Sequence, residues 1–217
     1  MNSPVSIPPT LLVLVGSPRR DGNSALLAQA VERGARQAGS TVSVHFLDDF
    51  IAGFLRDERG ANAGGQAADR YGELFLERFL PAQGVVFCTP IYWYGMSAQT
   101  KAFFDRSFTY YAASHPRSRD VLAGMTGKRL GLTLASEESY PGVGMGIVHQ
   151  VQEFARYTHS RFVGVVHGVG NSRGEVAHDP RQPLLAAEAL GREFFTRDYS
   201  DYRVDTPREH RVWSQAA

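Results

Sequence analysis

Leu11-Leu12-Val13-Leu14-Val15-Gly16-Ser17-Pro18-Arg19-Arg20-Asp21-Gly22-Asn23-Ser24 is a short β-prone apolar run that breaks at a glycine and passes through a polar turn. Beyond it Ala25, Leu26, Ala28, Ala30, Val31 and Ala35 recur at helical spacing, with Gly39 placed to close the helix. A strand that opens directly into a turn and a helix is the first half of a β-α-β unit. The same alternation returns about five times along the chain, which implies a parallel sheet.

The second strand is expected at Thr41 to Leu47, followed by a long glycine-rich polar passage from Asp48 to Asp69. A helix containing Leu74, Phe75, Leu76, Phe79 and Leu80 should end at Pro81. The third strand, Gly84 to Thr89, is expected to stop at Pro90, because proline cannot donate to a ladder, and a helix should run from about Ser97 to Tyr111. Two more units follow: Arg129 to Ala135 with a helix over Ile147 to Tyr157, then Phe162 to His167 with a helix over Leu184 to Tyr199. Five strands, five helices and right-handed crossovers predict an α/β, doubly wound five-stranded parallel sheet with helices on both faces, in the order 2-1-3-4-5. Residues 10–199 form the expected domain. Residues 200–217 read as a polar C-terminal arm, with Tyr202, Val204, Val212 and Trp213 as anchors against a neighbour.

A chain of 217 residues, 43% hydrophobic and 21% charged, suits one globular domain. Its formal charge of +1 gives no electrostatic case for a nucleic-acid or anionic-membrane partner. Cys88 is the single cysteine, which excludes an intrachain disulfide and a thiolate cluster for zinc or iron–sulfur ligation. Met1 to Pro9 carries no basic residue and Leu11 to Val15 is too short for a signal sequence or a membrane span, so a cytoplasmic location is expected.

The turn between the first strand and helix makes an anion site: free backbone N–H groups and the positive end of the helix dipole point at one spot. Gly16 and Gly22 frame it, Ser17, Asn23 and Ser24 offer side-chain hydrogen bonds, and Arg19 adds charge. The plainer alternative is that Asn23 or Ser24 only caps the helix. A Walker loop needs four residues between its glycines and then Lys-Ser or Lys-Thr; here there are five and then Asn-Ser. A dinucleotide G-x-G-x-x-G is missing as well, and Gly142, Gly144 and Gly146 have a different spacing. The ligand expected is a mononucleotide.

The third strand runs into Thr89-Pro90-Ile91-Tyr92-Trp93-Tyr94-Gly95-Met96-Ser97-Ala98-Gln99-Thr100-Lys101-Ala102-Phe103-Phe104-Asp105-Arg106. Three consecutive loop aromatics are poorly explained by core packing and well explained by a flat aromatic ligand. In a 2-1-3-4-5 sheet the switch point lies between the first and third strands, so this loop and the phosphate loop converge on one crevice.

These two segments resemble the NADPH-dependent FMN reductase family of flavodoxin-like proteins. Its members pair a Gly-Ser-x-Arg…Gly-Asn-Ser/Thr first loop with Pro-x-Tyr-Trp…Lys-x-Phe-x-Asp-Arg. The resemblance implies FMN as cofactor, with Ser17, Arg19, Gly22, Asn23 and Ser24 at its phosphate and Pro90, Ile91, Tyr92, Trp93, Tyr94 and Gly95 along its ring. It implies hydride transfer from NAD(P)H through FMN to a small acceptor: a flavin, quinone or azo compound. It also implies a homodimer or homotetramer. Some relatives carry an iron–sulfur cysteine cluster after the second strand; Phe50 to Tyr71 has no cysteine. In the third contact loop, Ala135 to Gly146, Glu137 and Glu138 interrupt the glycines, and Ser136 with Gly142 to Gly146 are expected near the flavin.

The remaining polar residues read as structural. Cys88 lies in a buried strand as a small hydrophobe. His149, His159, His167 and His178 lack metal-ligand spacing, and Lys101, Asp105 and Arg106 suit ion pairs on a helix face. No catalytic side chain is singled out, because the cofactor carries the electrons. Phe103, Phe104, Phe108, Tyr110 and Tyr111 cover more of their helix than one stripe, which favours a homodimer or larger assembly. An electron carrier docking a protein partner and a non-catalytic flavin-binding regulatory subunit are the alternatives; Arg19 and Arg20 beside the site argue against the carrier.

Overall fold

The computed structural model describes residues 7–56 and 68–198. Five parallel strands build the sheet: β1 (Thr10–Val15), β2 (Thr41–Phe46), β3 (Gly84–Tyr92), β5 (Arg129–Ser136) and β6 (Arg161–Val169). A two-residue strand, β4 (Gly95–Met96), folds back antiparallel on the end of β3. The order is β2-β1-β3-β5-β6. With the hairpin set aside, this is the expected 2-1-3-4-5 flavodoxin-like sheet.

All of Leu11 to Val15 is buried, as a central parallel strand covered on both faces requires. Alternate residues divide between two cores. Leu11, Val13 and Val15 pack with Leu27 and Val31 of α1 (Asn23–Gln37) and with Leu190 of α6 (Pro183–Arg192). Leu12 and Leu14 join the opposite core, with Phe75, Phe79, Phe87, Phe103 and Ile147. That layer is supplied by α2 (Tyr71–Glu73, continued by wider π turns over Leu74–Phe79), α3 (Ala98–Tyr111), α4 (Ser118–Met125) and α5 (Met145–Tyr157). Helices α1 and α6 approach so closely that a Cβ on Gly34 or Gly191 would strike the opposing backbone. The direct turn from β1 into α1 puts the helix N-terminus at the sheet's C-terminal edge, and this contact holds the helix against α6.

Several boundaries differ from the sequence expectation. Strand β3 does not stop at Thr89 but runs through Pro90 to Tyr92. Its pairing with β1 ends at Cys88, while Pro90 still pairs with Ala135 of β5, so the proline sits where β3 has a neighbour on one side only. Helix α6 ends at Arg192 rather than Tyr199, and Phe194 turns back into the core against the faces of Gly84 and Gly131. The short helix α4, which buries Val121 and Met125, was not anticipated, because two buried apolar residues are too weak a periodic signal. The 200–217 arm lies outside the described residues, as does 57–67 of the glycine-rich passage.

The two described ends of that passage are fastened together. Asp69 accepts hydrogen bonds from Ala52 N (2.8 Å) and Tyr71 N (3.2 Å) and pairs with Arg106 at 2.5 and 2.9 Å. Arg106 thus leaves the helix-face pairing expected of it, whereas Lys101 and Asp105 do pair, at 2.5 Å. Nearby, the buried Lys128 ammonium donates to the carbonyls of Phe79 (2.8 Å), Leu80 (3.1 Å) and Ala82, closing the end of the π turns. No helix among the described residues is long and apolar enough to cross a membrane.

Candidate functional site

Gly16 leaves β1 with its N–H still held by Cys88 O at 2.8 Å. The chain turns over the next residues and enters α1 with Gly22 as N-cap. A glycine offers no capping side chain, so the N–H groups of Asn23 and Ser24 face outward at the positive end of the helix with no partner among the described residues. Ser17 and Ser24 are buried beside them, and the Ser17 hydroxyl accepts from Arg19 N at 3.2 Å. The Arg19 side chain is exposed and makes no ion pair with a described residue. Arg20 is committed elsewhere, to Asp49 at 2.5 Å and over the Phe46 ring at 4.2 Å. Free amides, two hydroxyls and one guanidinium are the donors a phosphate needs.

Asn23 plays a different part from the expected one. Its amide donates to Gly170 O (2.8 Å) and Ser172 O (3.1 Å), and its oxygen accepts from Val176 N (3.2 Å). The side chain fastens the segment after β6 to α1, leaving the backbone N–H as the group that faces the crevice.

Pro90, Ile91 and Tyr92 form the facing wall. Trp93, Tyr94 and Gly95 lie outside that lining. Trp93 and Tyr94 are the two central residues of the β3–β4 hairpin, with φ of +49° and +61°, the backbone that tight hairpins usually give to Asn or Gly. Each non-glycine residue held there costs on the order of 1–2 kcal/mol, and such strain gathers at ligand sites. Trp93 is 95% exposed and Tyr94 54%, so neither is placed there by burial.

Ala135, Ser136 and Glu137 at the end of β5 make the third wall. The Ser136 hydroxyl donates to Glu138 O at 2.6 Å, so its 2.5 Å contact with His167 Nε2 must have the ring N–H as donor. Burial, reinforced by Arg181 and opposed by Asp179, lowers the His167 pKa. Gly142 to Gly146, expected near the ring, form a 3-10 turn and the start of α5, where a Cβ on Gly144 would meet the Ile91 side chain and one on Gly146 would meet Tyr94 O. Across the mouth, the Tyr94 hydroxyl donates to Glu138 Oε1 at 2.9 Å, joining the aromatic hairpin to the β5 loop.

A fourth wall was missed by sequence reasoning: Gly170, Asn171, Ser172 and Arg173 after β6. The signal was present, since Gly170-Asn171-Ser172 repeats the Gly22-Asn23-Ser24 of the first loop. Asn171 N and Ser172 N both donate to Glu175 Oε2, at 2.8 and 2.7 Å, and Arg173 pairs with Asp21 at 3.1 Å. The four walls enclose a crevice of about 240 Å³. A second cavity of about 350 Å³ lies behind the 170–173 segment and shares Glu137, Gly170 and Asn171 with it.

Residues 9–190 match the family described as having a flavodoxin-like fold. The chain is 27% identical over 180 residues to YwqN of Bacillus subtilis (strain 168), a protein whose name is that of an NAD(P)H-dependent FMN-containing oxidoreductase; the match covers 83% of this chain and 95% of that one. Among solved structures, the Trp repressor binding protein from Bacillus subtilis superposes with a TM-score of 0.65 at 24% identity, over 86% of this chain and 99% of its own. An NAD(P)H:quinone oxidoreductase from Methanothermobacter marburgensis does so with a TM-score of 0.64 at 21% identity, over 87% and 98%. The two structural likenesses are likenesses of fold. The family match spans nearly all of the described sheet, both of its helical layers and every wall of the crevice, and the chain belongs to the flavodoxin-like fold family.

Proposed function

We propose that this protein is an FMN-dependent oxidoreductase that accepts hydride from NAD(P)H and delivers it to a small acceptor such as a flavin, quinone or azo compound. The observation that carries the reading is the convergence, at the switch point of the sheet, of an uncapped helix N-terminus with a strained aromatic hairpin. The family and the YwqN relative support it.

The residues fit FMN. The Ser17 and Ser24 hydroxyls and the backbone N–H groups of Asn23 and Ser24 supply neutral donors for a phosphate, and Arg19 supplies the charge that a dianion needs. The missing Gly22 side chain leaves those amides unblocked. Pro90, Ile91 and Tyr92 offer a wall for the ring, with Trp93, Tyr94 and Gly95 beyond it, and Ser136 lines the same crevice. When bound, FMN supplies the two-electron chemistry, so the chain's own task is to bind, orient and exclude water. The Tyr94–Glu138 bridge narrows the approach to the ring wall, which restricts which planar molecules lie against it.

A homodimer or homotetramer in the cytoplasm belongs to the proposal. Its basis shifts from α3: Phe103 is fully buried, Phe104, Tyr110 and Tyr111 pack on the core, and only Phe108 of that group is largely exposed, at 57%. Exposed apolar groups that a partner subunit could cover include Tyr92, Trp93, Tyr94, Tyr140 and Met145, with Phe54 and Leu185 exposed elsewhere.

Equilibrium titration with FMN and FAD tests the cofactor, and FMN should bind more tightly. Steady-state rates test the reaction. Both substrates approach the one ring wall beside the Tyr94–Glu138 bridge, so double-reciprocal plots against NAD(P)H at several quinone concentrations should be parallel. Intersecting lines would contradict shared use of the site.

A further inference from the structure

The geometry points to Ser97 as a positioning residue that holds the phosphate loop and the aromatic hairpin at the spacing one flavin mononucleotide spans. This rests on the FMN reading above and extends it to a residue that touches neither end of the ligand site.

Ser97 is fully buried and is the N-cap of α3. Its hydroxyl donates to Gly16 O at 2.6 Å, the residue where β1 gives way to the phosphate loop. The same oxygen accepts from Thr100 N at 3.3 Å and meets the Thr100 hydroxyl at 2.9 Å. Its backbone N–H donates to the Thr89 hydroxyl at 3.1 Å, and that hydroxyl in turn donates to Pro90 O at 3.0 Å, where the aromatic wall begins. Thr89, Ser97 and Thr100 are all at most 1% exposed. A single buried hydroxyl cluster therefore runs from the last residue before one loop to the first residues of the other.

The packing leaves no alternative seat. A Cβ on Gly16 would collide with the Thr100 hydroxyl and press on Ser97 Oγ, so the loop can approach α3 only as glycine and only in register with this cluster. Buried hydroxyls that satisfy one another resist displacement, since any that lost its partner would be stranded away from water. The first loop can move relative to the hairpin only by breaking that set.

The consequence is specific to a ligand with two ends. Riboflavin uses the ring wall alone and inorganic phosphate uses the first loop alone. FMN requires both at a fixed separation, so it gains from their rigid spacing as any doubly anchored ligand does. Loosening the spacing weakens FMN while sparing its halves.

The test is fluorescence titration of FMN and riboflavin, with inorganic phosphate as a competitor, on wild type and Ser97→Ala. Ser97→Ala should raise the Kd of FMN by about tenfold or more while the riboflavin and phosphate constants change by less than about threefold. Thr158→Ala removes another buried hydroxyl, at the end of α5, and should lower stability without changing the FMN-to-riboflavin ratio. If Ser97→Ala folds poorly, Thr89→Val, which removes the hydroxyl receiving Ser97 N, is read in the same way. Equal fold-changes for FMN and riboflavin, or no change in either, would overturn the inference for Ser97 while leaving the FMN reading intact. Absence of saturable FMN binding by wild type would overturn both.

Discussion

The side-chain amide of Asn23 donates to Gly170 O at 2.8 Å and so ties the first turn of α1 to the end of β6 across 147 residues of sequence. Ser172 O and Val176 N complete its bonding. Removing the amide frees the fourth wall of the crevice without altering the helix amides at the phosphate position. Asn23→Ala should therefore accelerate hydrogen exchange across residues 170–176, lower stability by about 1–3 kcal/mol, and weaken FMN binding through the loosened wall. Unchanged exchange in that segment would show that the 170–176 path is held by other contacts.

Ser24 is buried at the N-terminus of α1 with its backbone N–H turned toward the crevice. A carboxylate there would favour the helix dipole in the free protein but repel a phosphate dianion. The helix N-terminus offsets only part of the cost of burying that carboxylate, so Ser24→Asp should lower the melting temperature modestly and reduce FMN affinity by about 100-fold or more, given two charges brought within a few ångströms. An unchanged dissociation constant would remove Ser24 from the phosphate site.

Trp93 holds φ at +49° while 95% exposed, so the free protein gains little from its side chain and bears the strain of its backbone. Asparagine tolerates that conformation better. Trp93→Asn should stabilise the protein by up to about 1 kcal/mol, a rise of about 2–4 °C in Tm, and should slow reduction by NAD(P)H and reoxidation by quinone alike, with little change in pH profile. A fall in Tm would mean that the indole makes stabilising contacts in solution.

Much of this arrangement was legible in the sequence because the governing signals are local. The apolar run Leu11 to Val15, the Gly16 break and the periodic alanines of α1 fix a strand, a turn and a helix. Switch-point topology then brings Ser17, Arg19, Gly22, Ser24, Pro90, Ile91, Tyr92 and Ser136 to one crevice. What was hidden depends on distant partners. Asn23 looks like a phosphate ligand until Gly170 is beside it, Arg106 like half of a helix-face pair until Asp69 returns to meet it, and Pro90 like a strand end until the extent of β1 is known. Trp93 and Tyr94 were read correctly as poor core residues, yet their positive φ has no signature in residue types that rarely adopt it.

Asp179 sets a pH dependence. Its carboxylate, 2% exposed, accepts from Val169 N (2.8 Å), Arg181 N (2.9 Å) and the Arg181 guanidinium (2.8 and 3.1 Å). The Arg181 hydrogen bonds hold its pKa far below the ordinary 3.8, against the opposing effect of burial. Because the folded pKa is depressed, the stabilisation is fully present above the unfolded value and is lost as pH falls through the folded one. Asp179→Asn should cost about 2 kcal/mol at pH 7, and the gap from wild type in urea unfolding should narrow steadily below about pH 4. A gap that widened on acidification would contradict this role.

In the proposed reaction the switch-point crevice holds FMN while a pyridine nucleotide reduces it. Its most direct test is the visible spectrum of the purified protein with one equivalent of FMN, titrated anaerobically with NADH and then, in a separate sample, with NADPH. The expected result is loss of the flavin absorption near stoichiometric nucleotide with at least one of the two, and its return when a quinone is added without oxygen. A spectrum indistinguishable from free FMN, or bound FMN that neither nucleotide bleaches, would contradict the account.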